Sequence, residues 1–161
     1  MLLIQKGLEM SREEEEILLT FICFLVRFLD LSEQPRCVAI VADRGKFGIR
    51  TTAAFHPYSS IIKVLGSGRS LPDIMRSCAH ELVHFRQMLR GELDEHPHQD
   101  IGGYLEDQAS SGAAAALKAF SYLIGPDIVY KPRPRTDRSV VMTGKQLRES
   151  ILRSLKGLEN N

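Results

Sequence analysis

The longest apolar stretch, ILLTFICFLVRFLDL at 17–31, follows four consecutive glutamates and carries charge only at Arg27 and Asp30. Ahead of it, Ser11 and Glu14 have the spacing of a capping box, and the acidic turn suits the positive end of a helix dipole. The pattern predicts a first helix over 11–31. Three β-rich pieces follow: RCVAIVADR (36–44), GIRTTAAFH (48–56) and SSIIKVLG (59–66). RGKFG and HPYS between them read as turns, so the three predict a small antiparallel meander. A second helix begins after Ser70, with Ser70 and Asp73 in cap spacing and Pro72 in the tolerant first turn, and stops at Gly91. GELDEHPHQDIGG reads as a loop. A third helix covers about 103–124, ended by Gly125 and Pro126; its ASSGAAAALKAF stretch offers a small-residue face for close helix packing. Beyond 126 the chain is basic and proline-containing (VYKPRPRTDRS) and is expected to be extended. Thr143 and Gln146 then cap a last amphipathic helix with Leu147, Ile151, Leu155 and Leu158 on one stripe.

The order α-β-β-β-α-α predicts an α+β domain over 1–125. The tail, 126–161, is expected to pack its helix on the same domain. At 161 residues, a chain buries roughly 70% of its unfolded surface and can build a core without staples. The apolar run is shorter than the ~20 residues a membrane span needs, and an acidic leader is unlike a signal peptide. These features point to a cytoplasmic protein with no membrane partner. Cys23, Cys37 and Cys78 form neither a disulfide framework nor a Cys-x-x-Cys knuckle. The net charge of +1 selects no partner class. The tail carries eight Lys/Arg against four Asp/Glu, which reads as solvated surface rather than a nucleic-acid interface.

Candidate chemistry lies in the second helix, where residues 80–84 read His-Glu-Leu-Val-His. Positions i and i+4 share a helix face, so His80 and His84 can offer two imidazole nitrogens to one ion. Catalytic zinc sites use three protein ligands and a water. Glu81, one residue further round, can take a proton from that water without ligating. Composition alone produces this spacing in about 1% of such chains, so context decides. Cys78, Ala79, Leu82, Val83 and Phe85 surround the polar trio, and an apolar face is a costly place for it without a shared partner.

Candidates for a third ligand are Asp94, Glu95, His96, His98, Asp100, Glu106 and Asp107. Glu106 is preferred. It opens the third helix, and the intervening loop lets that helix fold back on the second. Asp107 and the His96/His98 pair remain alternatives.

AHELVH followed by a glutamate on the next helix resembles the gluzincin type of zinc metallopeptidase. Glu106-Asp107-Gln108-Ala109-Ser110 matches that group's first glutamate and its alanine. It departs at Ser110, where many members carry an acidic residue that orients a ligand histidine; Ser110 or Asp107 would have to substitute. The compact order is similar to the minimal zincins of the SprT-like and ImmA/IrrE-like families, and GRSLPDIMRSCAHELVHFRQ resembles small phage-encoded metallopeptidase-like proteins. The resemblance implies an endopeptidase with one zinc per chain, held by His80, His84 and Glu106, with Glu81 as general base and a protein or peptide substrate. It also implies that SSIIKVLG is the sheet edge nearest the site, open to an extended peptide. Tyr104, Tyr122, Tyr130 or a loop histidine would stabilise the oxyanion. The rival readings are a zincin-fold module that binds metal or protein with little peptidase activity, and a metal-free helical interaction protein. His56 is read as a turn residue, Cys78 as a core thiol and GSGRS (66–70) as a turn into the helix.

Overall fold

The computed structural model describes residues 2–6, 10–43, 45, 48–49, 51–93 and 103–131. The elements are β1 (Leu2–Lys6), α1 (Arg12–Phe28), β2 (Cys37–Val41), β3 (Ala53–His56), β4 (Ile61–Leu65), α2 (Leu71–Leu89), α3 (Tyr104–Ile124) and the short α4 (Pro126–Val129). The fold is α+β, as expected. Both predicted serine caps are present: the Ser11 side chain accepts from the Glu14 backbone in a complete capping box, and Ser70 accepts from Asp73. The predicted tail helix lies outside the described residues, as does most of the 91–103 loop.

The sheet differs from the predicted three-stranded antiparallel meander. It has four strands in the order β1-β2-β4-β3. β1 pairs with β2 and β2 with β4 in parallel, and only β3 runs antiparallel, against β4. A parallel pair needs a crossover, which α1 supplies between β1 and β2. The connection from β2 to β3 is long enough for the chain to pass over one sheet position, so β4 rather than β3 lies beside β2. All five β2 residues are buried, the mark of a central strand covered on both faces.

Strand alternation sorts the side chains. Val38, Ile40, Ile62, Val64, Ala53 and Phe55 face the helices and join the main core, whereas Cys37, Ala39, Val41, Ile61 and Leu65 form a second cluster with Ile49 on the opposite face. The α2 helix packs against β3 and β4 on one side and against α3 on the other. Phe55 meets Phe85 edge-on, with ring centroids 5.6 Å apart, and Phe21 of α1 meets Phe120 of α3 at 4.9 Å. The small-residue face of α3 does what its composition suggests: Ala109, Ala113 and Ala116 are buried, and a Cβ on Gly112 would stand 3.1 Å from a Val83 methyl. That close approach sets α2 and α3 side by side.

GSGRS is a turn between β4 and α2. Gly68 adopts φ +69° there, a left-handed conformation that glycine takes at little cost. The Arg69 guanidinium donates to the carbonyls of Leu65 (3.1 Å) and Asp73 (2.8 Å) and to Ser77 Oγ (2.9 Å), pinning the start of α2 to the end of the sheet.

Candidate metal centre

His80 and His84 project from one face of α2. Their Nε2 atoms lie 3.0 Å apart. Glu106, in the first turn of α3, places Oε2 3.2 Å from His80 Nε2 and Oε1 3.2 Å from His84 Nε2. On α3 this glutamate begins the stripe that continues through Ala109, Ala113 and Ala116, so the packing that buries those alanines turns Glu106 toward α2. Among the described residues, His80, His84 and Glu106 are the group of His, Cys, Asp and Glu side chains close enough to hold a metal ion. Asp107 and Ser110 are exposed. Asp94, Glu95, His96, His98 and Asp100 lie outside the described residues.

The donor set fits a small divalent cation. Ligands about 2.0–2.1 Å from a tetrahedral centre stand about 3.3 Å from one another, close to the 3.0–3.2 Å spacings found here. Two imidazoles and one carboxylate are also a donor set used by catalytic zinc. Burial is the main cause that pushes the His80 pKa down, and the neighbouring His84 adds to it; the Glu106 carboxylate pulls the other way. The net shift favours neutral imidazole, the form that ligates. Nothing in the geometry identifies which metal the group would hold.

Glu81 is 8% exposed. Burial pushes its carboxyl up to about 8, Glu106 adds to the rise, and a hydrogen bond from the Phe55 backbone amide opposes it. That amide comes from a true sheet edge. Leu65 N–H donates to the Thr52 carbonyl, so by antiparallel alternation Ala54 and His56 turn their backbone groups toward β4 while Ala53 and Phe55 turn theirs outward. The edge nearest the site is therefore β3. β4, which contains most of the SSIIKVLG stretch expected at the edge, lies inside the sheet between β2 and β3. The β3 edge is partly occupied: Thr51 Oγ1 donates to the Ala53 carbonyl at 2.7 Å, and Glu81 takes the Phe55 amide.

Of the tyrosines considered for the oxyanion, Tyr104 sits at the site's end of α3, exposed, with its hydroxyl 2.9 Å from Gln108 Nε2. Tyr122 lies sixteen residues beyond Glu106 on the same helix, roughly 24 Å away, and Tyr130 is further still along the chain. Cys78 is fully buried and its thiol is pushed up to about 12 by that burial, which makes it an inert core residue. His56 closes β3 and is not part of the metal-competent group.

Gln87 was not singled out by the sequence reading. It is fully buried. Its Oε1 lies 2.8 Å from His84 Nδ1, and its Nε2 donates to the Leu105 carbonyl and to Gln108 Oε1, both at 3.0 Å. One signal was available: Gln87 stands three residues after His84, on the same helix face as both histidines.

Comparison with protein-family models, curated proteins and solved structures finds no match. The functional reading rests on the geometry.

Proposed function

We propose that the protein is a small zinc-dependent peptidase of the zincin type. The carrying observation is the convergence of His80 Nε2, His84 Nε2 and a Glu106 carboxylate at 3.0–3.2 Å, beside a buried glutamate one residue along the same helix. His80, His84 and Glu106 would hold the ion, which when bound supplies a Lewis acid and lowers the pKa of a nearby water. Glu81 takes the proton from the attacking water as the new C–O bond forms at the scissile carbonyl. It returns a proton to the amine as the C–N bond breaks. Burial pushes the Glu81 carboxyl up to about 8, and a group serves best as base and then acid when its pKa lies near the working pH. The Ala53 amide and the Phe55 carbonyl, the outward groups of this edge that Thr51 and Glu81 do not take, offer an extended peptide an edge on which to align.

Metal content by elemental mass spectrometry tests the site. One zinc per chain in the wild type, lost in a folded His80→Ala/His84→Ala variant, is expected. A protein that stays metal-free after reconstitution with zinc ends the proposal. A peptide-library digestion read by mass spectrometry then tests the chemistry, with Glu81→Gln as control.

One observation favours a second reading. Glu81 is almost enclosed and already bonded by Phe55, which also suits a metal-holding module that cleaves nothing. Zinc-loaded protein whose residual hydrolysis is the same in the wild type and Glu81→Gln would establish that reading in place of the first.

A further inference from the structure

The Gln87 carboxamide makes three hydrogen bonds, and one of them fixes the orientation of all. The Leu105 backbone carbonyl can only accept, so the amide atom 3.0 Å from it must be the nitrogen. The oxygen therefore faces His84 Nδ1 at 2.8 Å. A carboxamide oxygen can only accept, so Nδ1 must carry the proton. In the neutral ring the other nitrogen, Nε2, is then left with its lone pair directed at His80 and Glu106. The reverse tautomer would set two acceptors against each other at 2.8 Å beside a fully buried amide, where an unpaired polar atom is costly.

The same amide reaches the other ligand helix. Its nitrogen holds the carbonyl of Leu105, the residue immediately before Glu106, and the side chain of Gln108, two residues after it. Gln108 in turn lies 2.9 Å from the Tyr104 hydroxyl. One buried side chain thus sets the tautomer of a ligand on α2 and anchors the turn of α3 that presents the ligand on the facing helix.

We propose that Gln87 is the positioning residue of the metal centre: it holds His84 with Nδ1 protonated and Nε2 free, and it locks the first turn of α3 so that Glu106 meets the two histidines. The role rests on the metal-site reading above, but the tautomer can be read without metal. It also answers the departure at Ser110. Ser110 is exposed, and the orienting partner comes instead from the histidine helix itself.

The test begins with long-range proton–nitrogen NMR of the metal-free full-length protein, labelled with 15N at histidine, under mildly alkaline conditions. His84 is expected as the Nδ1–H tautomer. Zinc affinity is then measured by chelator competition for the wild type, Gln87→Met and Gln87→Glu. Methionine matches the length of the side chain and removes all three bonds. It is expected to weaken zinc binding about 10- to 100-fold, the usual effect of losing such a partner. Glutamate keeps the acceptor for Nδ1 but loses both donations to α3, so it is expected to recover only part of that loss. A purely structural glutamine would lower the melting temperature of both variants and leave the zinc affinity of the folded protein unchanged. The Nε2–H tautomer in the wild type overturns the inference, and so does a folded Gln87→Met protein with wild-type zinc affinity. If Gln87→Met does not fold, the wild-type tautomer and Gln87→Glu decide. A wild type that binds no zinc yet shows the Nδ1–H tautomer sinks the metal reading and leaves the histidine–glutamine contact standing.

Discussion

Both α1 and α2 open on a serine cap with acidic residues in the first turn, yet what they bury differs in kind. The buried residues of α1 are Ile17, Leu18, Phe21, Ile22 and Leu25, every one apolar. The α2 helix buries Leu71, Ile74, Met75, Leu82, Val83 and Phe85 in the same way, but adds Glu81 and Gln87. A polar side chain taken from water costs free energy unless it is hydrogen-bonded, so these two stand out against a helix of similar design. Both lie in the second half of α2, and both are bonded to a neighbouring element: Glu81 to the edge of β3, Gln87 to the first turn of α3. The contrast separates a helix that contributes mainly packing from one that packs and also carries the candidate site.

The sharpest way to break the contrast is Glu81→Gln. If α2 carries a catalytic site, the substitution should lower peptide hydrolysis about 10²- to 10⁴-fold, the range expected for a general base, with zinc still bound at one per chain. Both quantities come from a peptide digestion assay and elemental analysis of the same preparation. Unchanged hydrolysis would reduce Glu81 to a buried structural group.

Phe21→Ala tests the other side. Phe21 is fully buried against Phe120, and its loss should cost about 3–5 kcal/mol in urea denaturation. Zinc affinity of the fraction that remains folded should match the wild type. A parallel loss of affinity would show that the two helices are not separable in this way.

A smaller effect is expected in the chelated, metal-free protein. Glu81 titrates at about 8 when folded, against 4.5 as its reference value. The folded state therefore holds a proton that the unfolded chain releases. Stability from this group is complete below about pH 4.5 and is lost as pH rises through about 8. The total is on the order of a few kcal/mol. The lowered His80 pKa acts in the opposite sense, because the unfolded chain binds its proton more readily below pH 6.5. Denaturation across this range, compared between the wild type and Glu81→Gln, isolates the glutamate: the variant should lack the alkaline decline. Identical profiles would show that the carboxyl is better solvated than its burial implies.

The smallest perturbation uses the cysteines as reporters. Cys23 on α1 is exposed, whereas Cys37 on β2 and Cys78 on α2 are buried, the last with its thiol pushed up to about 12. A thiol reagent should label one cysteine per native chain and three after denaturation, counted by intact mass. Rapid native labelling of Cys78 would mean that α2 opens more readily than its packing indicates.

Local spacing makes the centre of the candidate site readable from the sequence. The helical period alone sets His80 and His84 on one face, and Glu106 is preferred because the loop before its helix lets that helix fold back on α2. The serine caps were equally legible, since a cap acts over three residues. Gln87 escaped notice because an isolated glutamine carries no motif; it acquires its role only when the Leu105 carbonyl and the Gln108 side chain arrive from another helix. The sheet was misjudged for a related reason. β-rich segments announce strands but not neighbours, and the hairpin assumption hid both the parallel pairing of β2 with β4 and the strand Leu2–Lys6. Moving β4 from the edge to the interior also moved the edge beside the site to β3, where the Phe55 amide meets Glu81. Contacts three or four residues apart are written into the local sequence: the helices, their caps and the histidine pair. Tertiary structure alone decided which strand edges and helix faces meet, because those pairings join backbone groups far apart in the chain and leave no local signature.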